Sequence, residues 1–219
     1  MTFPLQDHML VDPELQQEIM RRIKVANVCV NRPLHAADFL NSLEMPGGRE
    51  VSVYLRHAVD AVLLDDIGKV VLITRRNRPG IGLAALPGGF IDLRPGSATM
   101  VEEPAQAALR EAGEETGISQ DILTTAHVAP VGTRDCNRPF DIREAWGDIA
   151  GTPIKQGDLF AVSTQAFCVR IKGDLSTLPL QAGDDASKVR VEEVAALRAE
   201  HFGVPDHLAM IRQAVALRF

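Results

Sequence analysis

Residues 102–118 read Glu102-Glu103-Pro104-Ala105-Gln106-Ala107-Ala108-Leu109-Arg110-Glu111-Ala112-Gly113-Glu114-Glu115-Thr116-Gly117-Ile118. Proline suits a first helical turn, where its missing N–H is no loss, and glycine readily takes the left-handed conformation that ends a helix. The stretch therefore predicts a helix over Pro104–Thr116. At about 100° per residue, positions i, i+3 and i+4 share a face, so Glu111, Glu114 and Glu115 point one way. Ala105, Ala108, Leu109 and Ala112 form the adjoining apolar stripe, which predicts a helix packed on a sheet with its acidic edge facing a cleft. Between Glu102 and Glu115 five glutamates (Glu102, Glu103, Glu111, Glu114 and Glu115) stand against Arg110 alone. From charge alone this is either a solvated helix face or a seat for a hard divalent cation, which takes oxygen ligands and engages substrate phosphates.

Working upstream, Leu86-Pro87-Gly88-Gly89-Phe90-Ile91-Asp92 is a glycine-marked turn beside a short strand. Before it, His57–Leu64 and Lys69–Thr74 are β-rich and flank Asp65-Asp66-Ile67-Gly68, which predicts a hairpin. Downstream, strands are expected at Ala126–Val131 and Phe160–Ile171 and helices at Val191–Glu200 and Pro205–Leu217, the last with Leu208, Ile211 and Val215 on one face. The first 56 residues read as an extension. Asp12-Pro13 opens a short amphipathic helix running to about Lys24, Val25–Val30 suits a strand, and a second short helix is expected over Ala36–Leu43. Strands and helices mixed in this way predict an α+β fold, a mixed sheet between helical layers in an α/β/α sandwich, preceded by a helical extension.

The spacing from Glu102 through Arg110-Glu111-Ala112-Gly113-Glu114-Glu115-Thr116-Gly117-Ile118 resembles the signature E-x7-R-E-U-x-E-E-x-G-U of the Nudix hydrolases, and this favours the cation seat over the solvated face. The family's box opens with a glycine five residues before the first glutamate. Gly96 meets that spacing literally, whereas Gly88-Gly89 resembles the usual entrance and would place about seven extra residues between Asp92 and Glu102; the second alignment is preferred, because Gly96 after Pro95 reads as a simple loop turn. The resemblance implies that Glu111, Glu114 and Glu115 are metal ligands, with Glu102 and the carbonyl of Gly88 near the same ions. The metal would be Mg²⁺, with Mn²⁺ as an alternative. Arg110 would orient the carboxylates, a task suited to a guanidinium because its planar fork fixes rotamers through charge-assisted hydrogen bonds. The domain would span residues 57–219.

Within that family His57-Ala58-Val59-Asp60, Leu86–Asp92 and Gly183-Asp184-Asp185-Ala186 followed by Lys188-Val189-Arg190 resemble the ADP-ribose pyrophosphatase branch. This implies a Mg²⁺-dependent hydrolase that cleaves the diphosphate of ADP-ribose or of a similar nucleoside diphosphate linked to another group. The branch is commonly dimeric, which implies a homodimer, with the extension packing across the partner. Asp184 and Asp185 are candidates for the base in a late loop, set against an ordinary Gly-Asp-Asp turn. Arg75, Arg76, Arg78, Arg134 and Arg138 are candidate phosphate contacts, each weighed against a plain surface role. Phe90, Phe140 and Trp146 are candidate stacking surfaces for a base, each weighed against a core or loop-anchoring role. Two other readings stay open: a nucleoside triphosphate pyrophosphatase, and a ligand sensor without turnover.

Composition is consistent with this and excludes other classes. The 219 residues are 46% hydrophobic and 24% charged, with a net charge of -6, so no electrostatic attachment to nucleic acid or an anionic membrane is expected. No aliphatic run approaches the roughly 20 residues of a membrane span. Met1–Pro13 lacks the features of a signal peptide, and Cys29, Cys136 and Cys168 have neither paired nor metal-type spacing, which predicts a reduced, cytoplasmic protein. The six histidines show no ligand spacing; His207 is expected to cap or pack near the last helix.

Overall fold

A computed structural model describes residues 37–44, 48–77, 80–94, 97, 101–131, 141–183, 186–204 and 206–217. The expected helix from Asp12 and strand at Val25–Val30 lie outside these residues. The chain divides into two compact units, one formed by residues 1–58, 90–102 and 134–164, the other by 59–89, 103–133 and 165–219. Two long strands, β2 (Glu50–Leu64) and β8 (Leu159–Arg170), each give their first part to the former and their second part to the latter.

In the first unit β1 (Ala37–Glu44) pairs antiparallel with β2 from Ala37↔Arg56 to Glu44↔Glu50. The helix expected over Ala36–Leu43 is therefore a strand. Its apolar spacing of four, Phe39 to Leu43, suits either period, and the pairing with β2 satisfies its backbone groups. β2 runs without a break through Arg56 and His57, so the expected boundary at residue 57 falls inside a strand. Ala37, Tyr54, Ala58, Ala145, Ile154, Phe160 and Val162 form this unit's apolar cluster, with Phe90 and Ile149 packed against it.

The second unit is built on β3 (Lys69–Arg75), whose partners include β2 through Leu64↔Val70, the two-residue β4 (Ala84–Ala85), and β9 (Ala186–Glu193) over its whole length. The β2–β3 turn is tied by Asp65, a buried carboxylate that accepts from the amides of Ile67 and Lys69 at 3.1 and 2.7 Å and of Leu175 at 3.2 Å. β5 (Gly88–Phe90) pairs with β2, and β6 (His127–Pro130) pairs antiparallel with the end of β8. A short strand in the first unit, β7 (Asp141–Glu144), pairs with the start of β8.

Both faces of β3 are buried. Val70 and Leu72 join Val62, Leu64, Leu86 and the helix α3 (Asp206–Ala216) in one cluster, while Val71 and Ile73 face the other way. The helix α1 (Pro104–Thr116) packs on β3, β6 and β9 and on the short helix α2 (Gln120–Thr125). This is the expected α+β architecture on a mixed sheet. A fully buried side chain such as Leu72 contributes about 1.5–3 kcal/mol.

Two further expectations change. Val191–Glu200 begins as the end of β9 and continues as two single 3₁₀ turns, because Lys188-Val189-Arg190-Val191-Glu192 alternates with the period of a strand and pairs in register with β3. On α3 the buried residues are His207, Leu208, Met210, Ile211 and Ala214, whereas Val215 is exposed.

Candidate metal and phosphate site

α1 is the scaffold of the site. Pro104 sits in its first turn, and Gly117 closes it with φ of 73°, its N–H bonded to the Gly113 carbonyl at 2.9 Å. Ala107, Ala108, Leu109 and Ala112 are buried, so the apolar stripe seats the helix as expected, while Ala105 is half-buried. The three glutamates differ in burial although they share a face. Glu115 is buried, Glu111 has a side chain 13% exposed, and Glu114 one that is 59% exposed. Packing tilts the acidic edge, so its far side enters the protein.

The carboxylates close on the glycine turn from one side. Glu115 Oε2 accepts the Gly88 N–H at 2.8 Å. The Glu111 carboxylate occupies the space where a side chain at Gly89 would begin, with Oε2 2.7 Å from that point. Gly88 tolerates no Cβ, since one there would collide with the Val59 carbonyl and come 2.7 Å from Asp60 Oδ1, whereas one at Gly89 would displace the Glu111 carboxylate. The sequence marks these glycines as a turn; the structure shows close approach as the second reason for them. Arg110 Nη1 donates to Glu111 Oε1 and Glu114 Oε2, both at 2.8 Å, so one guanidinium spans two like charges.

Glu102 belongs to the other compact unit. Its Oε1 accepts the Asp92 N–H at 3.0 Å while its own N–H donates to the Asp92 carbonyl at 3.0 Å. The Leu93↔Val101 bridge adds a second tie between the same two stretches of chain. Gly88 and Gly89 are thus the glycines that touch the helix carboxylates; Gly96 lies outside the described residues.

Of the candidate substrate contacts, Arg76 is exposed and donates from Nη2 to the Ala186 carbonyl at 3.0 Å. A Cβ at Gly203 would stand 3.1 Å from Arg75 Cδ, and the charge of Arg75 acts on His207. Phe90 is half-buried, with the Arg56 guanidinium 3.5 Å from its ring centroid and Phe160 edge-on at 6.4 Å, so stacking at its ring already involves a partner. Trp146 is exposed. Arg78, Arg134, Arg138, Phe140, Asp184 and Asp185 lie outside the described residues. Chain leading to the two aspartates is nonetheless fixed: Gln181 N–H bonds the Thr116 carbonyl at 2.8 Å and Gly183 N–H the Glu115 carbonyl at 3.2 Å.

Sequence reasoning missed Arg56 and Asp60 as individual residues. Arg56 and Asp60, charged residues set among the buried apolar residues of β2, were the available signal. Cys168 is buried, which pushes its thiol up to about 11 and leaves it without nucleophilic character.

Among the described residues no three acidic, histidine or cysteine side chains are drawn together as a ready-made cage. The donor set nevertheless fits a hard divalent ion. Its ligand atoms are carboxylate oxygens, and two of the three glutamates meet at a turn kept free of side chains.

A NUDIX domain profile matches residues 54–213, well over half the chain, and the chain belongs to this family. A curated relative from Methanocaldococcus jannaschii, described as an ADP-ribose pyrophosphatase, is 34% identical over 127 residues, which is 58% of this chain and 66% of the relative. The chain thus spans just under two-thirds of that relative's length. Among solved structures, the NUDIX domain of Shewanella oneidensis NrtR complexed with ADP ribose is 25% identical, covering 74% of this chain and 86% of that one, with a TM-score of 0.45. A bifunctional NMN adenylyltransferase/ADP ribose pyrophosphatase from Francisella tularensis, complexed with AMP and a manganese ion, is 20% identical and covers 92% of this chain and 46% of that one, with a TM-score of 0.45.

Proposed function

We propose that the chain is a Mg²⁺-dependent pyrophosphohydrolase that cleaves the diphosphate of ADP-ribose or of a similar nucleoside diphosphate linked to another group. The observation that carries this is the closure of Glu111 and Glu115 onto Gly88-Gly89, which gathers charged oxygen ligands at one glycine turn. The relative's description as an ADP-ribose pyrophosphatase supports the substrate class. Glu111, Glu114 and Glu115, with the Gly88 carbonyl, would hold the ion, and Mn²⁺ would replace Mg²⁺. Bound there, such an ion supplies charge neutralisation on the diphosphate and activates a water. The chain's own share is to orient. Arg110 fixes the Glu111 and Glu114 rotamers, and the Gly88 N–H fixes Glu115. Asp184 or Asp185 would accept the proton of the attacking water, a role supported by the anchoring of Gly183 to the end of α1. Phosphate contacts are assigned to Arg76, Arg78 and Arg138.

Incubation with nucleoside diphosphate sugars, dinucleotides and triphosphates plus Mg²⁺, with products identified by mass, tests this. AMP and ribose 5-phosphate from ADP-ribose are expected. Pyrophosphate from a triphosphate would replace the reading with a nucleotide pyrophosphatase, and tight binding without turnover would replace it with a sensor. The same reading places the protein in the cytoplasm as a homodimer, and light scattering on that preparation would then give twice the chain mass.

A further inference from the structure

Three backbone groups anchor the turn at Leu86–Gly89. The Pro87 carbonyl accepts the Ala61 N–H at 2.8 Å, and the Gly88 N–H goes to Glu115 at 2.8 Å. The third, the Leu86 N–H, is buried and donates to Nδ1 of His207 at 3.1 Å. His207 comes from the first turn of α3, more than a hundred residues downstream, and is itself buried.

The ring's surroundings specify an imidazole. Because Nδ1 accepts, the proton of the neutral ring sits on Nε2, which faces Asp60 Oδ2 at 3.6 Å. Phe202 meets the ring edge-on with centroids 6.3 Å apart. The other carboxylate oxygen of Asp60 lies 2.7 Å from the point where a side chain at Gly88 would begin. One ring nitrogen therefore bonds the residue that enters the turn, and the other faces, without a direct hydrogen bond, the carboxylate that lies across it. An aliphatic residue would suit the neighbours Leu208 and Phe202 but would leave the Leu86 N–H without its acceptor.

We propose that His207 is a positioning residue for the reaction at Gly88-Gly89, a neutral imidazole that α3 inserts beside the turn to fix the two glycine peptides against the carboxylates of Glu111 and Glu115. It acts through Leu86 and Asp60 and touches neither substrate nor metal. The inference rests on the reading of this site as a pyrophosphohydrolase centre.

Its test compares His207→Leu, which fills the space without an acceptor, with His207→Asn, which keeps an acceptor near the place of Nδ1. Hydrogen exchange over residues 84–91, kcat and KM are measured separately on the full chain. In His207→Leu, exchange in that segment accelerates while β3 stays protected, and kcat falls by about 10- to 100-fold with KM little changed, as for outer partners of a reactive centre. His207→Asn recovers most of both. Unchanged exchange, a kcat loss that only follows the folded fraction, or no recovery in His207→Asn would overturn the proposal. If the wild-type protein turns over nothing in the substrate panel, the functional reading falls, and the exchange comparison alone decides whether His207 holds the turn.

Discussion

Glu115 is the buried member of the three glutamates spaced at i, i+3 and i+4, and its carboxylate takes the Gly88 N–H. Its place below the surface separates two effects of substitution that would coincide at the exposed Glu114. In Glu115→Gln the amide oxygen still accepts from Gly88, so the turn and the fold persist, and exchanging a charged for a neutral acceptor costs about 1 kcal/mol. The lost negative charge is what a divalent ion would feel. We expect turnover to fall by at least about 100-fold, the upper end for outer-shell partners, with a thermal midpoint only slightly lowered. Wild-type turnover at saturating Mg²⁺ would remove Glu115 from the ligand set. Arg110 acts differently: an i,i+4 pair with an exposed partner adds only about 0.3–0.5 kcal/mol, so its contribution lies in holding rotamers rather than in stability.

At the scale of elements, α1 is fixed at its C-terminal end by the segment 181–183, whose N–H groups cover carbonyls that the helix leaves open. The fit depends on Gly183 having no side chain. A Cβ there would collide with the Glu114 carbonyl oxygen and stand 3.0 Å from its carbon and 3.2 Å from Glu115 Cα, all backbone that cannot swing away. Gly183→Ala should therefore push the segment off the helix end, costing about 1–3 kcal/mol as overpacking does, and should lower activity through the displaced residues that follow. Urea unfolding checks the first effect and steady-state assay the second. An unchanged midpoint would show that the segment relaxes without strain.

At the scale of the molecule, the burial of His207 links stability to pH. Burial, aided by the positive charge of Arg75, lowers its pKa from 6.5 to about 3. Asp60 faces the same ring and does not reverse that direction. Between these two values the unfolded chain binds a proton that the folded one refuses, so this group makes stability rise with pH there. It is without effect above about pH 6.5, and each unit of acidification below costs at most about 1.4 kcal/mol. Unfolding free energies from pH 7 to 4 should show this slope in the wild type and a shallower one in His207→Asn. Equal slopes would mean that the imidazole is protonated in the folded protein.

What the sequence determined by itself is the helix and its chemistry. The proline opening, the glycine stop and the glutamate spacing are local properties of Pro104–Gly117, and a period of 3.6 places carboxylates together wherever the helix lies. The β2–β3 hairpin was legible for the same reason, its turn residues being contiguous. Tertiary structure decided the rest. Ala37–Glu44 and Ala186–Glu193 became strands because β2 and β3 offered unpaired edges, and short apolar spacings do not distinguish the two periods. Which glutamate enters the protein, why Gly88 can carry no side chain, and why one at Gly89 would displace Glu111 depend on packing between elements apart in the chain. So does the meeting of His207 with Leu86, 121 residues away. A hydrogen bond across that separation exists only once the sheet and α3 have brought both ends together, and no local pattern encodes it.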